Sequence, residues 1–388
     1  MNRRLWMLAF LYVAQGLPFG FFTQALPVRM RESGMSLGAI GLASLLAAPW
    51  ALKALLAPLV DAHGSRRAWI IPLQLGSVVV LVVASFLPPE RALVPVLIAV
   101  LFSNALAAAQ DVATDALAVD VLAPSERGLG NGIQVAGYRV GMILGGGALL
   151  VVLGTIGWGW ALRLLALGTT LTTLPLLTVR ETKRRQTARV SVRAVFDAAR
   201  RPNAPTWLAL LLVYKAGDAL ATAMLRPMLV DAGHGAAEVG ILLGQVGFGA
   251  GLAGALLGGL LVPKLGRGRA LVLFGALQGA GIAGYALPDV PLELAIGFEH
   301  LAGGMATAVL FTCMMDACRP GLEATDYALQ ASLVVVATGA GAGLSGMIAD
   351  ALGYAGCFTL AALVSFVGVA LAESLRRRRV LVPQEVCT

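Results

Sequence analysis

The chain alternates long apolar stretches with short polar breaks. A helix of about 20 apolar residues covers the hydrocarbon core of a bilayer. Twelve stretches of roughly that size occupy 5–28, 37–60, 69–87, 92–121, 129–154 and 158–179, then 205–231, 236–262, 269–288, 290–318, 324–348 and 351–375. The pattern predicts an all-α membrane protein of twelve transmembrane helices. One long polar stretch interrupts it, RETKRRQTARVSVRAVFDAARRPNA at 180–204. This divides the chain into a six-helix half at 1–179, a cytoplasmic linker at 180–204, a second six-helix half at 205–375 and a basic tail at 376–388. The halves echo each other. Tyr12 answers Tyr214, and Asp115-Ala116 answers Asp316-Ala317. The loop from Pro58 to Arg67 answers the one from Pro263 to Arg269.

Composition agrees with this pattern. Hydrophobic residues make up 58% and charged ones 13%, against about 25% charged in soluble domains. The net charge of +8 does not indicate nucleic acid, because its placement follows alternate loops. Arg3, Arg4, Arg66, Arg67, Arg127, the 180–204 cluster, Lys264, Arg267, Arg269, Arg319 and Arg376 to Arg379 fall on one side. The other side holds only Arg29, Arg31 and Arg91. By the positive-inside rule both termini face the cytoplasm, as expected of a bacterial inner-membrane protein. The N-terminal apolar run is too long for a signal-peptide core, so it reads as an uncleaved first span. The four cysteines form no CxxC pair and the three histidines are scattered, so no metal or cofactor is expected. No lysine follows a glycine as a phosphate-binding loop requires, and no nucleophile–base arrangement marks an enzyme.

Ionisable residues inside spans are costly and usually mark a solute or proton path. Here they include Lys53, Asp111, Asp115, Arg139, Lys215, Asp218, Glu299 and His300. Depth, at 1.5 Å per helical residue, suggests pairs. Asp111 and Arg139 lie equally deep, as do Lys53 and Asp115, the latter a candidate structural ion pair. Lys215 and Asp218 stand i,i+3 on one helix. A buried carboxylate without a fixed cation is readily protonated. Asp218 and Glu299 are therefore the candidates for proton coupling.

Several strings resemble one family. The loop around Asp61, Arg66 and Arg67 is similar to the signature between spans two and three of the major facilitator superfamily, with Ala57 and Ala62 as departures. That resemblance implies a gate, with Asp61 capping a helix N-terminus and Arg66 or Arg67 pairing across the halves. It also implies that spans 1, 4, 7 and 10 line the solute path. Their polar residues are Gln15, Gln24, Gln110, Asp111, Lys215 and His300, and with Arg139 these are the candidate substrate ligands. Gln110-Asp111-Val-Ala-Thr-Asp115, Glu126-Arg127-Gly128, Gly137-Tyr138-Arg139, Tyr214-Lys215-Ala-Gly217-Asp218-Ala219 and Phe298-Glu299 together resemble the AmpG-type muropeptide permease and acetyl-CoA transporter branch. The resemblance implies a monomeric, proton-driven importer of a mid-sized polar solute. Two options follow. The opening from Gly16 to Pro27 leans to the AmpG-like siderophore permeases; the alternative is a muropeptide permease for wall recycling. Many of the latter carry two further spans.

Overall fold

A computed structural model describes residues 3–32, 35, 43–89, 92–177, 197 and 200–380. Among these, every regular element is helical. Eight helical runs are long and apolar enough to cross a membrane. Two of them, 51 and 55 residues long, are far too long for one crossing. Each is divided by one glycine, Gly157 (φ 81°) and Gly353 (φ 72°). Only glycine adopts this conformation without strain, so it ends one span and opens the next. With two further helical segments, 44–62 and Arg267–Gly284, the described residues form twelve spans. They are α1 (Arg3–Arg31), α2 (44–62), α3 (Arg66–Ala84), α4 (Leu93–Val121), α5 (127–156), α6 (158–177), α7 (Ala204–Asp231), α8 (236–265), α9 (Arg267–Gly284), α10 (Leu292–Asp316), α11 (323–352) and α12 (354–377).

The least regular span is α2. Prolines open its helical pieces Ala48–Leu52 and Ala57–Ala62, and the tighter turn Lys53–Leu55 lies between them. Proline lacks an amide donor and suits a first turn, so the helix restarts twice. The expected start of this span at 37 lies outside the described residues. So do 180–196 of the linker, 381–388 of the tail, Arg91 and Cys387.

The chain gathers into two compact units. The first comprises Met1–Val121, Ala136–Ala194 and Arg319–Ala328; the second comprises Leu122–Val135, Val195–Cys318 and Leu329–Thr388. This differs from a clean cut at the linker, because each unit includes a short segment from the opposite half of the sequence.

In the first unit, Leu17, Phe21, Phe22, Leu81, Val96 and Leu162 build the core. The approach of α1 to α5 is close: a Cβ on Gly145 would stand 1.9 Å from the carbonyl oxygen of Leu17. Small residues let membrane helices meet backbone to backbone. Both helices widen to π-helix there, at Phe21–Ala25 and Leu144–Ala148. In the second unit the core holds Leu225, Leu229, Ile282, Ile296 and Phe358. Large apolar side chains such as Phe86, Val151, Leu294 and Met347 are two-thirds exposed, as lipid-facing positions require.

Candidate functional site

Four charged clusters stand out, each within one unit. The first centres on Lys53, 4% exposed at the irregular turn of α2. Its Nζ hydrogen-bonds Asp111 Oδ2 and lies 3.9 Å from Asp115 Oδ2. The two carboxylates are i,i+4 on α4 and share a face. Tyr12 on α1 donates its hydroxyl to Asp115 Oδ1 at 3.0 Å. The depth argument therefore chose the wrong cation for Asp111. Lys53, not Arg139, holds it, with Asp115 as the more distant partner. Arg139 is half-buried on α5. Depth along a helix carries no information on which helix faces which.

The glutamines divide. Gln15 is 2% exposed, and its Nε2 has no hydrogen-bond partner. Gln24 lies in the π-helical turn of α1 and reaches the carbonyl of Met142 at 3.5 Å. Gln110 donates to Gln74 Oε1 at 3.2 Å, and Gln74 in turn donates to Thr169 O and Thr172 Oγ1 on α6. That chain ties α3, α4 and α6 together and occupies the Gln110 amide. Gln74 was overlooked in the sequence, though a lone glutamine in an apolar run is a detectable signal.

The second cluster surrounds Arg66 at the start of α3, 1% exposed. It bonds Asp61 Oδ1 and Asp120 Oδ2, each at 3.0 Å, and lies 3.5 Å from Glu323 Oε2. Asp61 also accepts from the amides of Ala324 (3.1 Å) and Thr325 (2.8 Å) and from Thr325 Oγ1 (2.7 Å). A carboxylate on the first free amides of α11 is a helix cap, favoured by the helix dipole. Of the two adjacent arginines, Arg66 is the buried one; Arg67 is only half-buried.

The second unit repeats this plan with different parts. Arg267, at the start of α9, bonds Asp316 Oδ2 at 2.9 Å and the carbonyl of Pro124. Arg127 reaches Asp316 Oδ1 at 2.7 Å. Asp316 thus plays the part of Asp120 rather than that of Asp115, which shifts the sequence repeat by five residues. Where the first copy has Asp61, the second has Pro263, which packs with Gly259 on Gly128 and offers no cap.

The fourth cluster lies on α7, α9 and α10. Tyr214 ends one helical piece of α7 and Ala216 begins the next, so Lys215 sits at the joint and Asp218 in a first turn. Their side chains pair at 2.5 Å. Asp218 is also within side-chain range of Glu299 and His300. Glu299, 2% exposed, accepts from Gln278 Nε2 at 3.2 Å and from the hydroxyl of Tyr285 at 3.3 Å. His300 Nδ1 stands 2.8 Å from Glu299 Oε2, but the approach is off-line for a hydrogen bond. Gln278 and Tyr285 were missed in the sequence because neutral residues carry no burial penalty large enough to flag them.

Residues 8–330 match the family model of the Major Facilitator Superfamily. The anhydromuropeptide permease of Escherichia coli K12 is 34% identical over 355 residues, spanning 85% of this chain and 71% of its own. A Rickettsia felis protein described as putative transporter AmpG 4 is 25% identical over 402 residues, covering 97% of each chain. Among solved structures, the human organic anion transporter MFSD10 superposes with a TM-score of 0.76 at 15% identity, over 95% of this chain and 99% of its own. The Escherichia coli fucose:proton symporter superposes with a TM-score of 0.76 at 15% identity, over 96% and 97%. At such identities these structures establish the fold alone. With twelve helices of this arrangement, buried charge in both units and these relatives, the chain belongs to the major facilitator superfamily of transporters, in its AmpG-type branch.

Proposed function

We propose that this transporter carries an anhydromuropeptide, an anhydro-sugar joined to a short peptide, into the cytoplasm with protons. The observation that carries the reading is the 34% identity to a permease named for that solute, over 85% of this chain. The sequence alone leaned to a ferric siderophore; this relative moves the weight to the muropeptide alternative. Clusters holding both acids and bases suit a solute with sugar, amine and carboxylate groups. The basic ends of alternate spans support cytoplasmic termini in a bacterial inner membrane. Arg4 bonding the carbonyl of Val121 puts the start of α1 beside the end of α4, as that topology requires.

The test is uptake by the purified protein in vesicles under an inward pH gradient. Labelled anhydromuropeptide is expected to accumulate and a panel of ferric siderophores is not. Siderophore uptake without muropeptide uptake would reverse the assignment.

In this reading the Asp61 cap is a gate contact that must release when the start of α11 leaves α2. Loss of a helix cap costs about 0.5–2 kcal/mol. Asp61→Ala is therefore expected to speed amide hydrogen exchange at Ala324 and Thr325 by about tenfold, and to alter the turnover rate. Exchange as slow as in the unmodified protein would remove Asp61 from this role.

A further inference from the structure

Resting on the anhydromuropeptide reading, we infer that the sugar end of the solute binds in the first unit, on a platform of Trp50, Phe19 and Tyr138 topped by the side-chain amide of Gln15. Buried indole and amide N–H groups nearly always have partners, so an orphan calls for an explanation. Two stand in this unit, one on α1 and one on α2. Trp50 is 6% exposed and its Nε1 makes no hydrogen bond, and the same holds for Nε2 of Gln15 at 2%. They sit on facing elements. The ring of Phe19, one turn beyond Gln15 on α1, stands edge-on to Trp50 at 5.7 Å between centroids. Its other side meets Tyr138 of α5 at 5.6 Å. Phe19 and Tyr138 are both partly exposed.

The charge beside it is already satisfied. Lys53 is one turn beyond Trp50 on α2, and Asp111 and Asp115 hold its ammonium. A ligand carboxylate would have to displace them, whereas a neutral ring would not. Aromatic faces with adjacent unpaired neutral donors suit the apolar face of a pyranose and its hydroxyl or acetamido oxygens. Sites of this kind are mostly apolar, with a few polar groups that fix orientation. The charged groups of the peptide are left to other parts of the path.

The experiment measures uptake of a peptide-free anhydro-disaccharide by the full-length protein in vesicles. The variants are Trp50→Phe, which keeps a ring on Phe19 and removes only the N–H, and Gln15→Leu, which keeps the side-chain volume. Each deletes one neutral hydrogen bond, so KM is expected to rise about fivefold per variant, with the maximal rate unchanged. An unchanged KM in both, or a fall in rate alone, overturns the subsite, because a purely structural role would lower folded protein and rate without touching KM. If the unmodified protein takes up neither the disaccharide nor the complete muropeptide, the functional reading itself fails, and that result is separate because it needs no variant.

Discussion

Glu299→Gln is expected to abolish pH-driven accumulation while leaving solute exchange across the membrane intact. Asp218 and Glu299 are the two candidate proton carriers in the second unit. Asp218 is engaged by the ammonium of Lys215 at 2.5 Å, so neutralising it would strand a cation beside it. The hydrogen-bond partners of Glu299, Gln278 and Tyr285, are neutral donors that can stay in place whether or not the acid is charged. His300 Nδ1 stands 2.8 Å from Glu299, and Asp218 lies within side-chain range. One proton moving down a gradient of about one pH unit supports about tenfold accumulation of solute, since 1.4 kcal/mol corresponds to a factor of ten. Gln is isosteric and permanently neutral, so that factor should fall to one, while labelled solute still exchanges with unlabelled. Continued gradient-driven accumulation in Glu299→Gln would place the proton elsewhere. Asp218→Asn is expected to lower the yield of folded protein as well, because Lys215 loses its partner.

Lys53→Met is expected to destabilise the protein by about 3–5 kcal/mol, the usual result of removing one member of a buried ion pair. The loss would leave Asp111 and Asp115 facing each other without their cation, and only Asp115 keeps a donor, from Tyr12. Adding Asp111→Leu should recover part of the thermal midpoint, since it removes the closer stranded charge. Arg139→Ala with Asp111→Ala should show no such coupling. The same double variant separates two roles. If the Lys53–Asp111 pair is only structural, uptake returns with stability. If the pair also meets the solute, stability returns and uptake does not. A Lys53→Met protein that melts at the original temperature would contradict the pairing.

How much of this was legible in the chain depends on the kind of information each feature needs. Span positions were local. The apolar runs ended where helices end, within a few residues, because crossing a bilayer is a requirement on consecutive residues. Membership of the superfamily was legible for the same reason, in strings such as Asp61 to Arg67 and Gln110 to Asp115. The irregular path of α2 was implicit in Pro49 and Pro58. Depth was partly legible: it set Lys53 beside Asp115, and the structure holds Lys53 with both Asp111 and Asp115.

The full pairing among Lys53, Asp111, Asp115 and Arg139 was not legible. Partner choice depends on the rotation of each helix about its axis and on which helices are neighbours. Both are set by distant close approaches, such as Gly145 on the backbone of Leu17. The same holds for Arg66. The sequence placed it in a loop signature with Asp61, but only the fold supplied Asp120 and the start of α11. The neutral members of the site, Gln278, Tyr285 and Trp50, were invisible for another reason. An uncharged residue in an apolar run costs too little to stand out, and its role appears only when its donor is found facing a carboxylate, an amide or nothing. The sequence by itself determined how many times the chain crosses the membrane and which charges it carries inside. The tertiary structure alone decided which of those charges neutralise one another, because pairing is a property of facing surfaces and not of neighbours along the chain.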